Sequence, residues 1–190
     1  MPTIRAYRPE DRAAVYDICV RTADLGGDAR GKYPDDDLMG DLFAGPYLDD
    51  VAFVLDDGGE AKGYVVGTAD TEAFTKRWLT DWLPYFAAKY PDPDQEMVTL
   101  GYHPERMILP ELAAYPAHLH IDLLPGHQRR GFGRRLIETF LSSVDAPAVH
   151  LGMVTANVRA RAFYDRVGFH VIPVPDPGPL TYLGRATKGA

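Results

Sequence analysis

Cysteine is almost missing from this 190-residue chain, where Cys19 stands alone. An internal disulfide framework and a cysteine-built zinc cluster are thereby excluded. No uninterrupted apolar run approaches the ~20 residues of a membrane span. The first residues, Met-Pro-Thr-Ile-Arg-Ala-Tyr-Arg, hold no apolar signal core. A cytoplasmic location with no membrane partner is the expectation. Internal repeats and low-complexity tracts are missing as well. Positive charge is in deficit, with 20 basic against 27 acidic side chains and a net charge of −7. Nucleic acid is therefore not expected as a partner, because its binding needs a broad basic footprint. What remains is 46% hydrophobic and 11% aromatic, the balance of a globular chain. The length suits one domain over residues 1–190.

Patterning gives a coarse element order. Thr3 to Tyr7 reads as a strand, and Pro9-Glu10-Asp11 opens a helix with Val15, Ile18 and Cys19 on one face. Asp35-Asp-Asp begins a short helical piece carrying Leu38, Leu42 and Phe43. Val51 to Leu55 and Gly63 to Thr68 are β-type runs joined by the hairpin signal Asp56-Asp-Gly-Gly. Thr71 to Lys89 reads as one helix, with Phe74, Trp78, Trp82 and Phe86 along a stripe, followed by a proline-punctuated loop from Tyr90 to Tyr115. Then come strand Ala117 to Leu124, helix Gly131 to Val144, strand Ala148 to Val154 and helix Val158 to Val167, which Gly168 closes. Phe169 to Val174 and Thr181 to Thr187 form a final strand pair. Hairpin-linked strands early and β-α-β-α later predict an α/β mixed sheet with helices on both faces.

Against the acidic background one segment is locally basic. His118-Leu-His-Ile-Asp-Leu-Leu-Pro-Gly-His-Gln-Arg-Arg-Gly-Phe-Gly133 runs from an apolar strand through a glycine-bearing turn into a helix, with Arg129, Arg130, Arg134 and Arg135 within seven positions. A helix start leaves its first N–H groups unpaired and adds about half a positive charge. A phosphate is the natural occupant of such a place. Gly131 and Gly133 keep Cβ atoms away from it.

Gln128-Arg-Arg-Gly131-Phe-Gly133 resembles the pyrophosphate signature of the GNAT superfamily of acetyl-CoA-dependent N-acetyltransferases. Asn157, Phe163-Tyr164 and Gly168-Phe169 stand in the order of its second element. The resemblance implies the GNAT fold, a mostly antiparallel sheet of about seven strands splayed at the coenzyme site. It implies acetyl-CoA as co-substrate and transfer of the acetyl group to a primary amine by direct attack in a ternary complex. Leu123 and Leu124 would offer main-chain groups to the pantetheine arm. Gln128, Arg129, Arg130, Gly131, Phe132, Gly133 and Arg134 would hold the diphosphate, with Asn157 and Phe163 near the arm. Tyr164 would donate a proton to the coenzyme sulfur. Asn157 equally suits a helix N-cap.

The insertion from Thr71 to Pro116, with Tyr115-Pro-Ala-His-Leu-His-Ile-Asp-Leu-Leu-Pro125, resembles the acetyltransferase-like C-terminal domain of O-GlcNAcases and its free-standing bacterial relatives. The eukaryotic domains of that type are regarded as inactive. A catalytically silent acyl-CoA-binding or interaction module is thus the competing function. The Trp78–Trp82–Phe86 stripe reads either as core or as a wall of the acceptor pocket.

A protonated lysine-type amine costs roughly 4–5 kcal/mol to present neutral at pH 7, so a proton acceptor is useful. In the family that group sits early in the motif strand, where Ala117 and Leu119 stand here and cannot serve. Asp122 is the first choice and His120 the second, although alternation puts both on the other face unless a bulge re-aims them. His118, His120 and His150 have no accompanying carboxylate or cysteine spacing, so no metal is expected. A nicotinamide dinucleotide site is disfavoured, because no acid follows the glycines by about 20 residues in a βαβ unit. Monomer and homodimer are both compatible with the sequence.

Overall fold

The computed structural model describes residues 1–187. In chain order the elements are β1 (Thr3–Ala6), α1 (Arg12–Val20), α2 (Leu38–Phe43), β2 (Val51–Asp57), β3 (Glu60–Thr68), α3 (Thr71–Arg77), α4 (Leu83–Lys89) and α5 (Val98–Tyr102). There follow β4 (Ala117–Leu123), α6 (Phe132–Ser143), β5 (Ala148–Val154), α7 (Val158–Arg166), β6 (His170–Ile172) and β7 (Leu180–Ala186). The strands form one seven-stranded sheet in the order β1-β2-β3-β4-β5-β7-β6. Every neighbouring pair is antiparallel except β4 with β5. The mixed α/β class and the mostly antiparallel sheet match the expectation.

Two apolar cores flank this sheet. One gathers α1 to α5 over residues such as Ile18, Tyr64, Val66, Phe74 and Trp78. The other packs Leu136, Ile137 and Phe140 of α6 onto Leu119, Val149 and Leu183. Such two-sided cover explains why β3, β4 and β5 can be rich in buried apolar side chains.

Several elements differ from the sequence expectation. The β2–β3 hairpin turns tightly at Gly58-Gly59, both at positive φ, with a register shift at Leu55/Asp56. The helix expected over Thr71 to Lys89 is broken by a π-type turn at Trp78–Trp82. Pro84, next in α4, has no N–H for the ordinary i−4 bond, and the chain widens just before it. The long loop before β4 contains α5 and two short 3₁₀ turns at Pro104–Met107 and Pro110–Leu112. Strand β6 stops at Ile172 because Pro173 follows.

Candidate active site

β4 is the element on which the site is built. It pairs with β3 in unbroken register from Leu123 to His118. With β5 it pairs only at Ala117 and His118, and the two strands then part. Leu124 N–H donates to the Lys62 carbonyl at 3.0 Å, which fixes the backbone direction along β4. Even-numbered residues bond to β3, so odd-numbered ones turn their main-chain groups the other way; the His118–His150 pairing engages the Leu119 N–H with the His150 carbonyl, and the Leu119 carbonyl, Ile121 and Leu123 face the gap left by β5. Leu123 is placed there as expected, although its carbonyl already accepts from Gln128 Nε2 at 2.9 Å. Leu124 is not: its N–H goes to Lys62, and its carbonyl accepts from His127 N–H at 2.9 Å.

Below the gap the chain turns into α6. Arg129 (φ 58°) and Gly131 (φ 83°) are left-handed, with Arg130 between them. Such alternation draws successive N–H groups into a concave nest. The first N–H of α6 with a main-chain acceptor is that of Arg135, to Gly131 at 3.2 Å, and no side chain caps the helix. The N–H groups of Phe132, Gly133 and Arg134 are therefore open among the described residues. Gly133 has a second reason to be glycine, since a Cβ there would meet the Phe163 ring at 3.0 Å. The Phe132 ring is buried in the core under α6, with the Arg130 guanidinium 5.3 Å from its centroid. Arg134 Nη2 donates to the Arg166 carbonyl at 2.8 Å, fastening α6 to the end of α7.

α7 carries the second set of residues. The Asn157 side chain accepts from Ala160 N–H at 3.0 Å, the N-cap arrangement. Gly168 (φ 84°) ends the helix, and Phe169 N–H closes back on the Tyr164 carbonyl at 3.0 Å. Tyr164 is half-buried between Phe163 and Phe169, with ring centroids at 5.2 and 5.6 Å. Its hydroxyl makes no hydrogen bond among the described residues and is not sealed from solvent. Burial and the nearby charge of Asp122 push the Tyr164 phenol above its ordinary range.

No bulge interrupts the β3–β4 pairing, so His118, His120 and Asp122 stay on the face opposite α6. Asp122 Oδ2 accepts from the Tyr64 hydroxyl at 2.5 Å. Burial pushes the Asp122 carboxyl up to about 6, with hydroxyls of Tyr64 and Thr22 holding it from rising further. His120 is pushed down to about 3 by burial, and by the charge of Arg106. Its Nε2 lies 3.2 Å from the Tyr47 hydroxyl. His118 holds Thr71 Oγ1 at 2.8 Å and the Tyr47 hydroxyl at 3.0 Å. His150 Nδ1 donates to the Tyr115 carbonyl at 2.7 Å. His118 and His150 are also held below the ordinary imidazole range by burial. Phe74 of α3 packs edge-on against His118 at 5.3 Å, so the aromatic stripe is core at Phe74, Trp78 and Phe86 and borders the site through Phe74.

The family model of the acetyltransferase (GNAT) domain matches residues 113–176. The crystal structure of SsHAT is 54% identical, covers 99% of each chain and superposes with a TM-score of 0.94. The chain belongs to the GNAT acetyltransferase family. This GNAT chain is also 31% identical to Protein O-GlcNAcase of Mus musculus over 97% of its own length. It spans only about a fifth of the length of the curated O-GlcNAcases it matches, 22% in mouse and in Rattus norvegicus. The yncA structure from Salmonella typhimurium, solved with its cofactor acetyl-CoA, shares the fold at 16% identity and a TM-score of 0.57, covering 100% of this chain and 96% of that one.

Three residues of this GNAT site escaped the sequence reading. Tyr64 reaches Asp122 because the two are register partners across β3 and β4. Tyr47 comes from the turn after α2 and bridges His118 and His120. Arg106 comes from the insertion. None left a usable sequence signal, because the insertion separates β3 from β4 and no short turn sets the register of Tyr64 with Asp122.

Proposed function

We propose that this GNAT protein transfers the acetyl group of acetyl-CoA to a primary amine by direct attack in a ternary complex. The divergence of β4 from β5 directly above the uncapped start of α6 carries this reading. It leaves a row of unpaired main-chain groups that ends in a nest of N–H donors. An extended amide-bearing arm with a diphosphate at one end fits both parts. Ile121 and Leu123, with the Leu119 carbonyl, would hold the arm in the manner of an added strand. The N–H groups from Gly131 to Arg134 would hold the diphosphate, with Arg129 and Arg130 adding charge.

Chemistry would take place at the gap where β4 leaves β5, with Asp122 of β4 and Tyr164 of α7 as its two participants. Asp122 takes the proton that the amine must lose before its nitrogen can bond to the acetyl carbon. A carboxyl pushed up to about 6 is a stronger base than an ordinary one, yet it remains ionised at neutral pH. As the carbon–sulfur bond breaks, Tyr164 hands its hydroxyl proton to the leaving sulfur. Its raised phenol pKa keeps that proton in place at working pH. His120, neutral and pushed down to about 3, acts as a positioning group and not as the base.

Calorimetry with acetyl-CoA, followed by thiol release over an amine panel, tests the proposal. Binding with turnover is expected. Tyr164→Phe should lower kcat by roughly tenfold or more while coenzyme affinity stays within a factor of about two. A folded protein giving no heat at millimolar acetyl-CoA would overturn the reading. Binding without turnover on any amine would make the chain the silent acyl-CoA module instead.

A further inference from the structure

Thr71 opens α3 with its hydroxyl oxygen 2.8 Å from two groups, the Pro116 carbonyl and His118 Nδ1. A hydroxyl carries one proton and a carbonyl can only accept, so that proton goes to Pro116. His118 Nδ1 is then the donor in the second contact. Burial keeps the His118 ring neutral, which leaves its Nε2 as an acceptor. The Tyr47 hydroxyl, 3.0 Å from that nitrogen, spends its proton there. The Met107 sulfur, 4.0 Å from the same hydroxyl, is a much weaker acceptor. His120 Nε2, 3.2 Å from Tyr47, must therefore donate to it. The His120 ring is neutral as well, so its Nδ1 is left as a bare lone pair. One main-chain carbonyl thus fixes, through Thr71, His118 and Tyr47, which nitrogen of His120 holds the proton.

That bare nitrogen has no hydrogen-bond partner among the described residues and is not sealed from solvent. The rings of Tyr47 at 5.0 Å and Phe43 at 5.5 Å flank the imidazole. Two residues along β4, the Asp122 carboxylate is in the same condition. Its Oδ2 takes the Tyr64 hydroxyl, whereas Oδ1 has no hydrogen-bond partner among the described residues and is not sealed either. The Thr22 hydroxyl lies near enough to ease the charge, but its proton goes to the Ile18 and Cys19 carbonyls. His120 and Asp122 share one face of the strand, about 6.8 Å apart along it. Two bare acceptors therefore stand as neighbours. A single nitrogen with at least two hydrogens answers both, through bonds of about 2.9 Å to either side.

We propose that His120 Nδ1 accepts one N–H of the acceptor amine while Asp122 receives another, so the site selects an acceptor nitrogen that carries at least two hydrogens. This assignment rests on the acetyl-transfer reading and gives its preference for primary amines a cause. Tyr47, His118 and Thr71 are positioning residues that act through His120. Without them its proton is free to move to Nδ1, which would then meet the amine as a donor. A secondary amine, as the free base that attacks, has one N–H and turns carbon toward one of the two acceptors.

The test compares butylamine with N-methylbutylamine. In the wild type kcat/KM should favour the primary amine by roughly tenfold or more. In His120→Leu that ratio should fall toward one, while KM for acetyl-CoA is unchanged and melting confirms a folded protein. His120→Asn, whose amide oxygen stands near the place of Nδ1, should keep part of the preference. A ratio near one in the wild type, or an equal ratio in the wild type and His120→Leu, overturns the assignment. Two-bond proton–nitrogen correlations on histidine-labelled protein read the tautomers without turnover, with His120→Asn assigning the signal. His120 should show a protonated Nε2 and a bare Nδ1, His118 the reverse, and Tyr47→Phe should leave His120 as a mixture of the two forms. A proton on His120 Nδ1 in the wild type overturns the assignment too. In protein loaded with coenzyme A, butylammonium should move the His120 Nδ1 resonance, and butyltrimethylammonium, which has no N–H, should not. Where no amine is acetylated this contrast decides: a difference upholds the contact and leaves the failure to the transfer reading alone, and no difference ends the proposal.

Discussion

Asp122 shows how one side chain acquires two opposed effects from a single environment. Burial pushes its carboxyl up to about 6, and Tyr64 donates to it at 2.5 Å. If it is the proton acceptor, kcat/KM should climb with pH through about 6, and Asp122→Asn should lose about 100-fold in rate together with that climb. A flat wild-type profile from pH 5 to 7 would remove Asp122 from the mechanism. The stability effect has the other sign. A carboxyl whose folded pKa is raised binds its proton more tightly when folded, so its contribution is full below about 3.9 and is lost as pH rises through about 6. At pH 7.5 the Asn variant should therefore be more stable than the wild type by about 1–3 kcal/mol in urea titration. Residues of this kind were readable only in part. Asp122 and Tyr164 could be nominated as candidates from chain order and motif position. Tyr47 and Arg106 sit in irregular turns, where no period links them to the strand they serve.

At the scale of elements, β4 was the most readable part of the chain. Alternation alone placed His118, His120 and Asp122 on one face and Ala117 and Leu119 on the other, and the unbroken pairing with β3 keeps them there. The end of the strand was less readable, because Leu124 is drawn into the turn by bonds to Lys62 and His127 that depend on the folded hairpin. The aromatic stripe of the insertion was also read correctly as a stripe. Its interruption at Trp78–Trp82 had a visible signal in Pro84, which a period of four cannot register. The histidines of β4 and β5 give this layer its own prediction. Burial holds His118, His120 and His150 below the ordinary imidazole range. Unfolded, they take up protons below about 6.5, so stability should fall as pH drops from 7 to 5, against the smaller opposing trend of Asp122. The melting temperature of a His118→Gln/His120→Gln variant should depend less on pH over that range. An unchanged slope would assign the acid sensitivity elsewhere.

Across the whole molecule the sheet is continuous except where β4 and β5 part, with one apolar core on each face. A ligand lying in that opening joins the hairpin side of the sheet to the β5–β7 side. Acetyl-CoA at about 100 times its Kd should then add about 2.7 kcal/mol, a rise of roughly 5–10 °C in melting temperature. The amides of Ile121 and Leu123 should exchange with solvent quickly in the free protein and slow once the coenzyme is present. Protection confined to α6 would argue against an arm lying along the strand. The two-residue alternation of β4 also has a bearing on descent. Odd positions present backbone, which is indifferent to the residue carried there, while even positions present chemistry. On the proposed reading, point changes at 120 and 122 would alter the acceptor side with the main chain of the donor seat left intact, whereas inserting one residue in this strand would scramble both at once.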